Sequence, residues 1–283
     1  MAGLSSDQIV FYKEQGYLIV EDALPSAVFD PLIGEFNETI ERNARRAKAE
    51  GRLHQLFEYE PFARRLARLC ETMDDESGMF DGLQGKLKTA GMFAMVKHPA
   101  ILDIVESLIG PEILAHPQFN ARAKLPNQDR SVVPWHQDLG YLEREAEETL
   151  MVNIWIPLVD ATRENGCMEV IGGSHKSPLI EHHQRQGPGR NFKGILDEAL
   201  PPGEQVLCPI KKGGVLLIQH KTIHRSIPNL SDHIRWSLDL RYSDPAMPTG
   251  RQNVPGFISR SRKQPEAVAR SHLDWLEIVR TSR

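Results

Sequence analysis

The sequence predicts a mainly β protein with flanking helices, in which the strands form a jelly roll. Apolar side chains recur at helical spacing up to about residue 111, and from about residue 112 the pattern changes to short runs rich in β-branched and aromatic residues. Many short strands after a helical lead-in are typical of a jelly roll. Since neither a linker nor a repeat interrupts the chain, we expect one domain over residues 1–283, with a helical lead-in at 1–111, a core at 112–243 and a tail at 244–283.

The lead-in combines helices, one short strand and one irregular stretch. Helical periodicity predicts helices before Gly16, within 25–40 and within 101–108, and the apolar run 17–20 predicts a strand. Residues 71–91 are rich in Gly, Asp and Met and show no clear period. We therefore expect a loop there that lies over a pocket.

The strand candidates of the core are β-branched or aromatic-rich and are bounded by Gly, Pro and Asn. They are residues 150–159, 167–171, 206–210, 215–219 and 234–243. Within 235–241, charged or hydroxyl side chains alternate with Trp and Leu, which predicts one polar and one apolar face. The Pro-rich residues 244–255 then lead to a short final helix near 273–279.

The composition is that of a globular protein without a nucleic-acid surface. Hydrophobic residues make up 40% of the chain and charged residues 25%, while the net charge is −4. Because phosphate binding needs a basic surface, we expect no nucleic-acid partner. No apolar run is long enough to span a membrane and no secretory leader is visible, so we also expect no membrane insertion.

The cysteines and the missing templates narrow the functional class further. Cys70, Cys167 and Cys208 are far apart and odd in number, which argues against a disulfide framework and favours a reducing, cytoplasmic location. The chain has no GxSxG elbow, no HExxH helix and no glycine-rich phosphate loop. Nothing in the sequence indicates an oligomeric state.

A His-x-Asp tripeptide and a distant histidine predict a metal site. His136 and Asp138 flank Gln137, and on a strand residues two apart point to the same face while the middle one points away. His224 lies far downstream, and a jelly roll can bring such distant segments side by side. Two histidines and one carboxylate cap one face of Fe(II) and leave positions open for a chelating cosubstrate and O₂.

Downstream of His224, Ser226 and Arg235 predict an anchor for that cosubstrate. The planar fork of Arg235 can grip a carboxylate with two hydrogen bonds, and Ser226 can donate one more. A 2-oxo dicarboxylic acid fits these parts, with one end on the iron and the other on Arg235 and Ser226. Two rivals remain open, since His220 could replace His224 as a ligand and Arg241 could replace Arg235 as the anchor.

Several motifs together resemble the phytanoyl-CoA dioxygenase family of Fe(II)/2-oxoglutarate oxygenases. They are Trp135-His136-Gln137-Asp138, Asn165-Gly166-Cys167, Gly173-Ser174-His175-Lys176 and His224-Arg225-Ser226-Ile227-Pro228-Asn229 followed by Arg235. The resemblance runs across most of the chain. It implies a double-stranded β-helix core of cupin-like type, iron ligation by His136, Asp138 and His224, and 2-oxoglutarate binding by Arg235 and Ser226. It also implies that Lys124 and Gln137 lie beside the cosubstrate.

The resemblance further implies an oxidative reaction on a small-molecule substrate. The expected activity is hydroxylation of an unactivated C–H bond, with conversion of 2-oxoglutarate and O₂ to succinate and CO₂. Related halogenases lack the carboxylate ligand, so the presence of Asp138 disfavours halogenation. Two other classes stay open, namely a non-catalytic protein that binds metal and 2-oxo acid, and a zinc hydrolase, which would have no need of Arg235.

The identity of the substrate is not readable from the sequence. Residues 182–202 are a long Gly/Pro-rich stretch between strand candidates, and such stretches are often lids. Arg185, Arg190 and Lys193 in this stretch either meet an anionic substrate or are solvated, and both interpretations stay open. We expect His182, together with the residue after it, to lie in a solvated loop.

Overall fold

The computed structural model describes residues 3–184, 192–251 and 254–282, and the chain is mainly sheet with flanking helices, as predicted. The helices are α1 (Ser6–Gln15), α2 (Asp30–Ala49), α3 (Phe62–Glu71), α4 (Ala90–Val96), α5 (Pro99–Ile109) and α6 (His272–Thr281). The earlier strands are β1 (Tyr17–Val20), β2 (Ile113–Ala115), β3 (Asn120–Lys124), β4 (Val152–Pro157), β5 (Met168–Ile171) and β6 (His183–Gln184). The later strands are β7 (Lys193–Gly194), β8 (Gln205–Cys208), β9 (Val215–Gln219), β10 (His224–Ser226), β11 (Arg235–Ser243) and β12 (Phe257–Arg260).

The larger sheet recruits strands from near both ends of the chain. Its order is β1-β9-β4-β11-β2-β12, and β3 also pairs with β11. β1 lies antiparallel to β9, with Tyr17 opposite Ile218, so the early strand predicted from its apolar run is confirmed. β12 pairs with β2 and was not predicted, because four residues at a sheet edge offer too short an alternation to be recognised.

The smaller sheet lies opposite the larger one. Its order is β10-β5-β8, and an isolated bridge between His136 and His224 extends it by one segment. Trp155 of β4 and Ile218 of β9 share one apolar cluster with Met168 of β5 and Cys208 of β8. The two sheets therefore face each other across that cluster.

Strand β11 separates the helical layer from the space between the sheets, because its side chains alternate in direction. Trp236, Leu238 and Leu240 pack in one large core with Phe36 of α2 and Ile101 of α5. The alternate side chains of β11 line a cavity on the opposite face. The predicted polar and apolar faces of this strand are confirmed.

The packing of Trp236 lets us predict a large effect on stability. This residue is fully buried, and its ring lies 5.3 Å from Phe36 and 5.0 Å from Phe62 between centroids. We expect Trp236→Ala to lower the free energy of unfolding by about 3–5 kcal/mol, since it removes this contact and leaves a cavity. Urea unfolding followed by circular dichroism measures the loss. Trp236→Phe is the control and should cost clearly less, because it keeps an aromatic ring; equal losses would contradict the packing argument.

The irregular segment between α3 and α4 is held in place by buried contacts. Met79 and Leu83 are fully buried, and the amide of Asn43 donates hydrogen bonds to the carbonyl oxygens of Met79 (3.1 Å) and Asp81 (2.9 Å). The loop predicted at 71–91 is confirmed, and this anchoring explains how an aperiodic stretch keeps one position. None of the helices in the described part of the chain combines the length and hydropathy that a membrane crossing needs.

Candidate functional site

The three predicted metal ligands come together between the two sheets. His136, Asp138 and His224 are buried, and the ligand atoms that they offer all lie within 4.8 Å of one another. The backbone places the histidines, because the His136 and His224 amides each donate to the other's carbonyl oxygen at 3.0 Å. Their rings lie side by side, with centroids 4.1 Å apart. The spacing had suggested that Asp138 lies in a strand. In the structure Asp138 instead begins a tight 3₁₀ turn.

Both histidines have one ring nitrogen engaged by the backbone. Nδ1 of His136 lies 2.9 Å from the carbonyl oxygen of Pro134, and Nδ1 of His224 lies 2.9 Å from that of Thr222. A carbonyl oxygen only accepts hydrogen bonds, so Nδ1 carries the proton in each ring. Nε2 then keeps its lone pair, which is the form that binds a metal.

The carboxylate of Asp138 is held by Arg241 and Asn153. Arg241 donates from Nη2 to Oδ1 at 2.8 Å and from Nε to Oδ2 at 3.3 Å, while the Asn153 amide donates to Oδ2. Burial alone would raise the pKa of Asp138, but Arg241 and the two histidines hold it well below its usual range. Arg241 is therefore occupied by Asp138 and is not a free rival to Arg235.

Arg235 is a buried cation, and the described residues offer it no ion pair. Its Nε donates to the carbonyl oxygen of Gly166 at 3.2 Å, its Nη1 donates to Ser237 at 2.5 Å, and its guanidinium lies 5.1 Å from the centre of the Trp155 ring. Burial lowers the pKa of Arg235 to about 10. The charge of Asp239 opposes this shift, but Asp239 is paired with Arg122 and not with Arg235, so the site favours an anionic ligand here.

Ser226 and Lys124 lie beside Arg235. Lys124 is opposite Arg235 in the pairing of β3 with β11, and its Nζ donates to Ser226 Oγ at 2.9 Å and to the carbonyl oxygen of Ser131 at 2.9 Å. Burial, followed by the charge of Arg235, lowers the pKa of Lys124 well below its usual value. Because Ser226 Oγ accepts from Lys124, its own proton stays available for a carboxylate.

A cavity connects these residues. It is lined by the three candidate ligands together with Ser226 and Arg235, and the space open to the centre of a water molecule is about 50 Å³. A larger cleft, with about 550 Å³ open to the centre of a water molecule, adjoins it, shares Arg235 with it and includes Lys124. Residues 75–84 form the other wall of the cleft, so the prediction that the 71–91 loop lies over a pocket is confirmed.

Gln137 does not reach the cavity. Its Nε2 donates to the carbonyl oxygen of Lys221 at 2.9 Å, and its Oε1 accepts from the amide of Ile180 at 2.9 Å. The residue is fully buried and lines neither the cavity nor the cleft. Strand alternation predicts that the Gln137 side chain points away from those of His136 and Asp138, and the structure agrees with this prediction. It does not place Gln137 in the cavity, as the family resemblance had implied.

His182 and Lys193, in the described parts of the 182–202 stretch, contact the turn that carries Asp138. The prediction of a solvated His182 is wrong, because this residue is partly buried. Its Nε2 accepts from the backbone amide of Gln137 at 3.0 Å, and its ring packs edge-on against Tyr141. The Tyr141 hydroxyl donates to the carbonyl oxygen of Lys193 at 2.5 Å, while the Lys193 side chain is exposed. Arg185 and Arg190 lie outside the described residues.

Asn153 is the residue of this site that the sequence analysis did not single out. It is 6% exposed, lines the cavity and contacts Asp138, and its Oδ1 has no partner among the described residues. A polar residue inside the apolar run of β4 was the available signal. His220, the alternative ligand, is also buried but stays outside the cluster of three.

The buried histidines predict acid sensitivity of the metal-free protein. Burial lowers the pKa of His116, His220 and His224 to about 4, below the ordinary value of 6.5. Between these pH values the unfolded chain binds more protons than the folded one, so stability is fully present above about pH 6.5 and is lost as the pH falls toward 4. Each histidine contributes a slope of up to about 1.4 kcal/mol per pH unit.

Urea unfolding of metal-free protein between about pH 7 and pH 4.5 measures this slope. His116→Gln serves as the matched variant, because it removes one of the three titrating rings without touching the candidate ligands. We expect a shallower slope in the variant. A free energy of unfolding that stays constant over this range would contradict the prediction.

The chain is similar in sequence to phytanoyl-CoA dioxygenases. The sequence model of the family described as phytanoyl-CoA dioxygenase (PhyH) matches residues 12–237. The peroxisomal phytanoyl-CoA dioxygenase of Bos taurus is 27% identical over 252 residues, which cover 85% of this chain and 69% of that protein. Phytanoyl-CoA dioxygenase domain-containing protein 1 of Rattus norvegicus is 35% identical over 149 residues, which cover 51% of this chain and 50% of that protein.

Solved structures with the same fold include a non-heme monooxygenase, ThoJ, in its apo form. Its TM-score is 0.66 at 20% identity, with 98% of this chain and 95% of that chain covered. EvdO2 from Micromonospora carbonacea var. aurantiaca, complexed with 2-oxoglutarate, has a TM-score of 0.52 at 21% identity, with 86% of this chain and 93% of that chain covered. At this level of identity the similarity concerns the fold.

Proposed function

Because the chain belongs to the phytanoyl-CoA dioxygenase family, we propose that it is an Fe(II)/2-oxoglutarate-dependent dioxygenase. The proposed reaction hydroxylates an unactivated C–H bond of a small organic molecule or acyl thioester and releases succinate and CO₂. The observation that carries the proposal is the cluster of His136, Asp138 and His224 in one cavity with Arg235, a buried cation without an ion pair among the described residues. The names of the related dioxygenases support the acyl thioester as one substrate class.

The residues of the cavity fit both the metal and the cosubstrate. Two neutral imidazoles and one carboxylate are the donor set of a non-heme iron site, and His136, Asp138 and His224 would hold the ion. When bound there, Fe(II) and 2-oxoglutarate supply the oxidising power that is drawn from O₂. Arg235 would bind the far carboxylate of 2-oxoglutarate through its fork, and Ser226 would donate to the same group.

The remaining residues position these groups and exclude water. Lys124 Nζ donates to Ser226 Oγ at 2.9 Å, so the Ser226 hydroxyl can donate its own proton to the cosubstrate carboxylate. The apolar side chains of Trp155, Met168 and Ile218 line the same cavity and limit the access of water to it. The adjoining cleft provides the route by which a small substrate would reach the cavity.

We also propose that residues 1–283 form one domain with a double-stranded β-helix core. The neighbours β3-β11-β4-β9 in one sheet, and the His136 segment with β10-β5-β8 in the other, support this interpretation. Along the core from β3 to β11, with the His136 segment included, consecutive strands of these two sheets lie in opposite sheets except β5 and β8, which pair with each other in the smaller sheet. One apolar cluster that joins the helices to the larger sheet supports a single domain.

Anaerobic titration tests the proposal most directly. Fe(II) and then 2-oxoglutarate are added to the metal-free protein while the visible iron-to-2-oxo-acid charge-transfer band is monitored. We expect the band in the wild type and no band in His136→Ala, which lacks a ligand. Admission of O₂ should then convert 2-oxoglutarate to succinate, and a panel of acyl thioesters and other small molecules that accelerate this conversion identifies the substrate class.

Two outcomes would overturn the proposal in different ways. A band without any succinate formation would indicate the alternative, a non-catalytic protein that binds metal and 2-oxo acid. The absence of a band in folded protein that binds metal would remove the cosubstrate assignment. In that case hydrolysis that does not require O₂ would identify a metal hydrolase.

A further inference from the structure

The carboxylate of Asp138 is held unevenly by two neighbouring donors, Arg241 and Asn153. Oδ1 lies 3.7 Å from Nε2 of His136 and accepts one hydrogen bond, from Nη2 of Arg241 at 2.8 Å. Oδ2 instead accepts from two donors, the Asn153 amide and Nε of Arg241 at 3.3 Å. Arg241 therefore contacts both oxygens, but Oδ2 has two hydrogen-bond donors whereas Oδ1 has one.

Neither donor can easily follow a rotation of the carboxylate. Arg241 and Asn153 are directly opposite each other on β11 and β4, and both are 6% exposed. Arg241 is tied on a second side, because its Nη1 donates to the carbonyl oxygen of Gln118 at 3.1 Å. Its position is thus set by the sheet and by this contact as well as by Asp138.

We propose that Arg241 and Asn153 are positioning residues that restrict Asp138 to a single metal-binding oxygen, Oδ1. This inference rests on the proposed function. A carboxylate can bind a metal through one oxygen or through both. Binding through both would occupy a position that 2-oxoglutarate or O₂ needs, and it would take Oδ2 from its two donors. Because that rotation would also break the two-point contact of Arg241, a buried cation, with the two oxygens, it is disfavoured.

The double variant Arg241→Met with Asn153→Leu removes both donors at nearly constant side-chain volume. We expect its affinity for Ni(II) alone, measured by calorimetry, to stay within threefold of wild type or to increase, since a second oxygen becomes free. We expect the affinity for 2-oxoglutarate in the Fe(II) protein to fall at least tenfold, with a weakened charge-transfer band. A crystal structure of the Ni(II) complex should show both oxygens of Asp138 on the ion.

Matched variants separate positioning from general damage. Asn153→Leu alone should give a smaller change of the same kind, and it serves if the double variant does not fold. Arg241→Lys keeps a cationic donor and should recover part of the 2-oxoglutarate affinity. Arg65→Met removes another buried arginine that contacts a carboxylate, Glu41 in the helical layer, and should leave both affinities unchanged.

The outcomes are distinct from those that concern the proposed function. A tenfold or greater loss of Ni(II) affinity in the double variant would overturn the inference, because the pair would then only build the site. Unchanged 2-oxoglutarate affinity, or one metal-bound oxygen in the variant structure, would also overturn it. A missing charge-transfer band in the wild type would overturn the proposed function, and with it this inference.

Discussion

Arg235→Ala is expected to weaken the binding of 2-oxoglutarate to the Fe(II) protein about 100-fold, or roughly 3 kcal/mol. The reason is that the far carboxylate of the cosubstrate would lose a two-point ion pair in a buried environment. Anaerobic titration of the charge-transfer band measures the change. The intensity of the band at saturation should stay near that of wild type, because the iron ligands are unaltered.

The control for this prediction is the stability of the ligand-free protein. Arg235 is 2% exposed and has no ion pair among the described residues, so its charge costs free energy until an anion binds. We therefore expect Arg235→Met to unfold at the same or a higher urea concentration. Arg235→Lys should bind 2-oxoglutarate with intermediate affinity, since it keeps the charge and loses the fork. An affinity within threefold of wild type in Arg235→Ala would contradict the assignment of this anchor.

His224→Ala and Asp138→Ala are expected to reduce Fe(II)-dependent conversion of 2-oxoglutarate to succinate at least about 1000-fold. Each variant removes one of only three side chains that converge on the proposed ion, and the ligands act as a unit. Succinate formed under O₂ in the presence of Fe(II) is the measurement. Metal affinity, determined separately with Ni(II), should also fall in both variants.

His220→Gln is the matched control for the ligand assignment. His220 is 2% exposed, lies near His224 in the chain and was the rival for the third ligand, but it is outside the cluster of three. We expect this variant to keep metal affinity and most of the succinate formation. The opposite pattern, with loss in His220→Gln and retention in His224→Ala, would contradict the assignment and identify His220 as the third ligand.

Much of the site could be predicted because it depends on local rules. Because the backbone at Gln137 is extended (φ −107°, ψ 134°), the two-residue spacing of His136 and Asp138 places both side chains on one side of the chain. The polar and apolar alternation of β11 predicts that Arg235 faces away from the helical core, and the structure confirms this. Such patterns are legible because strand geometry repeats every two residues.

Other features depend on contacts between segments that are distant in the sequence. The ion pair of Arg241 with Asp138 joins β11 to a turn, and the sequence of neither segment predicts this pairing. The side-chain amide of Gln137 forms hydrogen bonds with the backbone of Lys221 and Ile180, and the backbone amide of Gln137 donates to His182. Polar groups of this kind find partners only once the sheets have closed, so their roles cannot be read from spacing.

By itself, the amino-acid sequence determined the fold class, the longer strands of the core and the family, since periodicity and residue chemistry are properties of short segments. Only the tertiary structure decided which of two arginines is free to bind an anion, Arg235 or Arg241. Both have the same side chain and lie on the same face of one strand, so local chemistry cannot separate them. The difference arises because the fold brings Asp138 within 2.8 Å of Arg241, and among the described residues brings no carboxylate into an ion pair with Arg235.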